Sequence, residues 1–354
     1  MKKFLATGLA AALIFSGSVE AAKNLVIREQ GSFMAGGTVV TAPGNYNVIN
    51  DPRDLSGNTL HGDSAYVFYQ IPAKAKKYPL IFLHGYGSTG KVWETAPDGR
   101  EGFQNIFLRK GFGVYIVDQP RRGRAGRPTV ATNFSAQPDE QLWYYNFRIG
   151  AYPNYYDDVQ VPRDAESSRQ FFQQMVPSYP TEQKIIVDAM TEIMDKSGGG
   201  ILVTHSAGGG PGWETAIRSD KVKAVISLEP GTFPFPEGEV PPVEETTSPF
   251  PAAGQAFPME DFLKITKIPV VVYFGDNIPS GDKPVANWGF DNWRTRLNLA
   301  RKWAEVVNKY GGDAEIICLP DIGITGSTHF MMWDLNNAQV ADAIEKWIKS
   351  KRLG

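Results

Sequence analysis

The alternation of apolar and polar positions changes character near Tyr78. Before it, residues 24–29, 38–44 and 65–72 alternate between the two kinds and are broken by glycines, the pattern of strands with one face on a core and one in water. These predict an antiparallel opening of short strands. After it, short and nearly continuous apolar runs occupy residues 80–83, 114–117, 201–203, 224–228, 270–274 and 316–319. Strands apolar throughout are those covered on both faces. Helical periodicity is predicted over 181–196, 292–310 and 338–349, with Gly199-Gly200 and Gly311-Gly312 as stops. Covered strands separated by helices predict an α/β fold, a mostly parallel sheet flanked by helices.

Two stretches break that rhythm. Residues 131–180 carry Trp143, Tyr144, Tyr145, Tyr152, Tyr155 and Tyr156, and read either as a cap inserted over the sheet or as a further packing layer. Residues 231–257 are dense in proline and predict a long ordered loop at the same rim. At the amino end, Met1-Lys2-Lys3, an apolar run over 4–15 and small residues up to Ala21 form the three parts of a secretory signal peptide. The apolar run is shorter than the roughly 20 residues that span a bilayer, so cleavage after Ala21 is expected rather than anchoring. This divides the chain into a signal at 1–21 and a single domain over 22–354, exported to the periplasm or beyond and free of the membrane once cleaved.

Composition narrows the partners. Of 354 residues, 42% are hydrophobic and 21% charged, with a formal charge of -2; this is a globular chain without the basic stripe that nucleic acid requires. Cys318 is the single cysteine and permits no intrachain disulfide. Its apolar strand setting reads as a buried core position. No zinc-ligand spacing or phosphate-cradling glycine loop occurs, so no metal or cofactor is expected.

The chemistry is concentrated where the apolar strand 201–203 breaks at Thr204-His205-Ser206-Ala207-Gly208-Gly209-Gly210. A serine between small residues, on a sharp turn from strand to helix, is the form of a nucleophile elbow, with Thr204 in place of the first glycine of G-x-S-x-G. Ser206 is therefore the candidate nucleophile. Acyl transfer from serine needs a base, an acid to orient it, and donors for the oxyanion. Of four histidines, His329 follows the last apolar strand and fits the base; His205 adjoins the serine, and His61 and His84 come early. The turn Leu83-His84-Gly85-Tyr86-Gly87 suggests the backbone N–H of Tyr86, with that of Ala207, as the oxyanion hole. Two carboxylates compete as the acid, Glu229 and Asp276, each just past a strand. Trp143, Phe330 and Trp333 are candidates for the substrate pocket.

Phe82-Leu83-His84-Gly85, Val117-Asp118-Gln119-Pro120, Thr204 to Gly209, Leu228-Glu229-Pro230-Gly231 and Thr328-His329-Phe330 together resemble the α/β-hydrolase superfamily, and within it the secreted bacterial esterases of the esterase-713-like group. The resemblance implies a triad acid that is a glutamate after the sixth strand, which maps onto Glu229. The commoner superfamily acid would fall at Ile278, which leaves Asp276 as the alternative. The turn after Asp118 departs from the resemblance, with Arg121, Arg122, Arg124 and Arg127 where glycine is usual at the first of these. It reads either as a hydrated surface turn or as a site for an acidic substrate group. The expected function is hydrolysis of a small-molecule carboxylic ester through an acyl-enzyme. The same residues would serve an acyltransferase or an amide or polyester hydrolase, and the same fold could be a non-catalytic binder.

Overall fold

In the computed structural model, which describes residues 24–354 other than 48, 50, 134 and 135, the glycine-broken segments 24–29 and 38–44 are not two strands. They belong to one strand, β1 (Ile27–Thr41), paired antiparallel along its length with β2 (Thr59–Pro72). Gly36 and Gly37, at φ of 65° and 109°, take up the irregularity inside the strand that the sequence pattern suggests as a break. The signal peptide read at 1–21 lies outside the described residues.

Six further strands complete the sheet: β3 (Leu80–Leu83), β4 (Val114–Asp118), β5 (Gly200–His205), β6 (Val222–Leu228), β7 (Pro269–Phe274) and β8 (Asp313–Cys318). The order is β1-β2-β4-β3-β5-β6-β7-β8. β2 meets β4 antiparallel and every pairing from β4 onward is parallel. Strand pleat explains the continuous apolar runs. Ile81, Leu83, Leu202, Val225 and Val272 face a core completed by Ile186, Met190, Trp213 and Trp303. Their alternates Leu80, Phe82, Val203, Ile226 and Val271 face a second core with Phe103, Phe107, Ile344 and Trp347. The inner parallel strands are thus buried on both sides, because helices cover both faces, whereas the edge strand β8, with Cys318 at its end, is only half-buried.

Those helices are α1 (Phe103–Arg109), α2 (Glu140–Asn146), α3 (Ala165–Gln173), α4 (Gln183–Lys196), α5 (Gly209–Arg218), α6 (Met259–Ile265), α7 (Trp288–Lys309) and α8 (Asn337–Ser350). The three helices read from periodicity are α4, α7 and α8. The helix α7 starts four residues earlier than its pattern, where the side chain of Asn287 accepts the N–H of Phe290 and caps it. Residues 140–173 carry α2, a short hairpin and α3, and their Trp143 and Phe147 share a cavity with Phe250 of the proline-rich segment. Among the described residues no helix is long and apolar enough to cross a membrane.

Candidate active site

β5 ends at His205 and the chain enters α5 through Ser206, whose φ of 53° lies in the left-handed region. Such a backbone costs on the order of 1–3 kcal/mol for a residue other than glycine and persists where neighbours over-determine it. Here Ser206 O accepts the N–H of Gly231 at 3.1 Å, and Gly85 approaches so closely that a Cβ on it would lie 2.8 Å from the Cβ of Ser206. The departure at Thr204 has its compensation on the helix. The Thr204 hydroxyl lies 2.7 Å from that of Ser227 on β6, and its methyl occupies the space that a Cβ on Gly212 would need, 2.5 Å away. The small residue required for strand and helix to close sits in α5 instead of β5.

His329 and Glu229, one hundred positions apart, meet at the ends of the strands. His329 Nδ1 lies 2.6 Å from Glu229 Oε2, which places the proton on Nδ1 and leaves Nε2 as the basic nitrogen. The ring lies between aromatic neighbours, with centroids 4.4 Å from Trp293 and 4.9 Å from Phe147. Its backbone is fixed as well: His329 N–H donates to Phe147 O at 3.2 Å, and His329 O accepts from His205 Nε2 at 2.9 Å. His205 thus holds the His329 backbone, and its ring, 4.4 Å from that of His329, lines the same cavity rather than pointing away from it.

Glu229 follows β6 at φ 44°, fully buried. Its Oε1 accepts the N–H of Gly275 at 2.7 Å, and Arg148, equally buried, donates to both carboxylate oxygens. Burial disfavours the carboxylate, but the Arg148 charge and the His329 hydrogen bond outweigh it and hold Glu229 below the usual carboxylate range. His329 is pushed down by burial; Glu229 opposes this, while Arg148 and Arg296 add to the lowering. Both groups keep the charge states a resting base and its orienting anion need near neutral pH.

Asp276 is not brought to the histidine ring. Its Oδ2 accepts the N–H of Gly326 at 2.7 Å, its N–H donates to Ser327 O at 2.7 Å, and its carbonyl accepts from Arg148 Nε at 2.8 Å. It tethers the loop that carries His329.

The loop after β3 is pinned from beneath. Gln119 N–H donates to His84 Nε2 at 3.1 Å, so His84 carries its proton on Nδ1 and gives it to Gly85 O at 2.9 Å. A Cβ on Gly85 would also lie 3.4 Å from Ala207 N, so the bare backbone there brings Tyr86 beside the elbow. Tyr86, Ala207, Ser206 and His329 line one cavity, together with Trp143, Phe147, Phe250, Asn292, Trp293, Arg296 and Phe330. Trp143 and Phe330 thus line the cavity that Ser206 also lines. Trp333 is not on this wall: it stacks behind Phe330 at 4.9 Å and lines a neighbouring cavity with Phe171 and Asp334.

The arginine-rich turn divides: Arg124 and Arg127 are exposed, as a surface turn would have them, whereas Arg121 is turned inward. Arg121, at φ 65°, is buried and binds both oxygens of Asp63, at 2.6 and 3.0 Å. Arg124 pairs with Asp118 at 2.9 Å. Only for Arg121 does the partner lie far away in sequence, 58 positions back at Asp63, and that pairing is what a local charge run does not show. Sequence reasoning misses Arg148 and Arg296. Arg148 stands between Phe147 and Ile149, and a lone charge in an apolar run is the signal that marks it.

A parallel sheet with helices on both faces, a serine on a strained turn from strand to helix, and a histidine and carboxylate from later strand ends define the α/β hydrolases. The chain belongs to the Alpha/beta hydrolase family, whose model matches residues 80–349. It is similar to the protein solved as "a Novel Bacterial Esterase", at 33% identity and a TM-score of 0.74, over 94% of this chain and 98% of that one. It is also 26% identical over 337 residues to a fungal "Probable secreted lipase phiG", covering 83% of this chain and 88% of that protein.

Proposed function

We propose that the chain is an exported serine hydrolase that cleaves carboxylic esters through an acyl-enzyme. The observation that carries this reading is the 2.6 Å contact of His329 Nδ1 with Glu229 Oε2 beside a cavity that Ser206 also lines. Likeness to an esterase and a lipase supports esters as the class of bond. The secreted relative and the pattern of residues 1–21 support export.

In this reading Ser206 Oγ attacks the ester carbonyl carbon while His329 Nε2 takes the hydroxyl proton. Glu229 stays ionised and stabilises the imidazolium, and the N–H groups of Tyr86 and Ala207 hold the oxyanion. Collapse expels the alkoxide, which receives the proton from His329. Water then attacks the acyl-serine, giving its proton to the same imidazole, and the acid leaves as Ser206 Oγ regains a proton.

Ser206→Ala tests this. Ester hydrolysis is expected to fall at least ~10³-fold with an unchanged melting temperature; full turnover by the purified variant would overturn the assignment.

A further inference from the structure

Arg296 has no role in the mechanism above, although it lines the same cavity as Ser206 and His329. It lies on α7, one turn beyond Asn292. All its hydrogen bonds leave from Nη1, to Phe250 O and Asn292 O, each at 3.1 Å, and to Asn292 Oδ1. Among the described residues Nε and Nη2 meet no acceptor. The guanidinium lies 5.5 Å from the centroid of Trp293, a ring that also flanks His329.

No carboxylate forms an ion pair with it among the described residues. Glu229 supplies the opposing charge nearby, and that carboxylate is already shared between Arg148 and His329. The site therefore holds two guanidinium cations and one carboxylate. Burial lowers Arg296 to about 10, so this half-buried side chain stays charged at neutral pH with no ion-pair partner among the described residues. Asn292 is itself held by Asn146 at 2.7 Å and by Ser248 at 3.2 Å, so Nη1 is anchored and the free edge of the guanidinium keeps one orientation. A fixed, unpaired guanidinium edge suits a carboxylate, which it can bind through two parallel hydrogen bonds.

We infer that Arg296 is a subsite for an anionic group of the substrate, and that the preferred esters carry a free carboxylate. This inference rests on the ester-hydrolase reading and narrows its substrate class. Trp143, Phe147, Phe250 and Phe330 give the rest of the cavity an apolar lining for the carbon skeleton between carboxylate and ester.

The test compares kcat/KM within two matched pairs, in the wild type, Arg296→Gln and Arg296→Lys. Monomethyl succinate against methyl butyrate puts the charge on the acyl side; 3-acetoxypropanoate against propyl acetate puts it on the alcohol side. The wild type is expected to prefer the anionic member of one pair. That preference should fall about tenfold or more in Arg296→Gln and less in Arg296→Lys. Succinate should inhibit turnover of the neutral ester competitively in the wild type and more weakly in Arg296→Lys, which decides the matter if Arg296→Gln does not fold. No anionic preference in either pair, or a preference that Arg296→Gln leaves intact, overturns the inference. An equal loss on both members also overturns it, because the charge then acts on the oxyanion common to all esters. Failure of the hydrolase reading is distinct: Ser206→Ala would then still hydrolyse the neutral esters.

Discussion

Glu229 and Asp276 are indistinguishable as strand-end acids until their oxygens are followed. Glu229 faces His329 Nδ1, whereas Asp276 spends its carboxylate on the N–H of Gly326 and of Asn277. Amide substitution changes neither side chain's size, so the two variants separate the roles. Glu229→Gln removes the anion that orients the imidazole, and kcat/KM is expected to fall about 10²–10⁴-fold. It also leaves Arg148 buried beside a neutral amide, so urea denaturation should report a loss of roughly 3–5 kcal/mol. Asp276→Asn weakens one loop tether and should keep activity within about tenfold of the wild type. A severe loss confined to Asp276→Asn would reverse the assignment.

At the scale of elements, the fit of α5 on β5 depends on Thr204 and Gly212 together. Gly212→Ala would by propensity favour a helix by about 1 kcal/mol. The added Cβ instead meets the Thr204 methyl at 2.5 Å inside the core, so a net loss of stability is expected. Thr204→Ser keeps the hydroxyl and removes that methyl; the double variant should recover the loss in thermal denaturation, and failure to do so would place the strain elsewhere. The loop before α8 has a different sensitivity. Asp334 is buried against Thr328, 2.9 Å from its hydroxyl, and desolvation pushes its carboxyl up to about 8. The folded chain therefore keeps this proton far above the ordinary value of 3.8, at which the unfolded chain loses it. Its contribution to stability is complete below that ordinary value and declines as pH rises toward about 8. Asp334→Asn mimics the protonated form, so its melting temperature should fall less than that of the wild type between about pH 5 and pH 9.

Across the whole molecule, His329 titrates according to groups delivered by separate parts of the chain: Glu229 after β6, Arg148 after α2 and Arg296 on α7. Burial is the largest influence and favours the neutral ring. The acid limb of kcat/KM, which reports loss of the base by protonation, is therefore expected with its midpoint below the ordinary histidine value of 6.5. A midpoint at or above that value in a neutral ester assay would contradict the burial of the ring.

Local pattern determined what is local. Six apolar runs marked the strands of the parallel sheet, because a strand covered on both faces is nearly continuously apolar, and even the half-buried edge strand β8 keeps an apolar end. The small residues beside Ser206 and the histidine after the last strand marked their candidates for the same reason: turn geometry and residue chemistry are written within a few positions. Tertiary structure decided every matter that depends on two distant segments meeting. It joined the glycine-broken opening into one strand, separated Glu229 from Asp276, and neutralised Arg121 with Asp63. Among the described residues it left Arg296 without an ion pair, and it placed Trp333 behind Phe330. Pairing of charges and packing of rings act through space over a few ångströms, and sequence separation carries no measure of that distance.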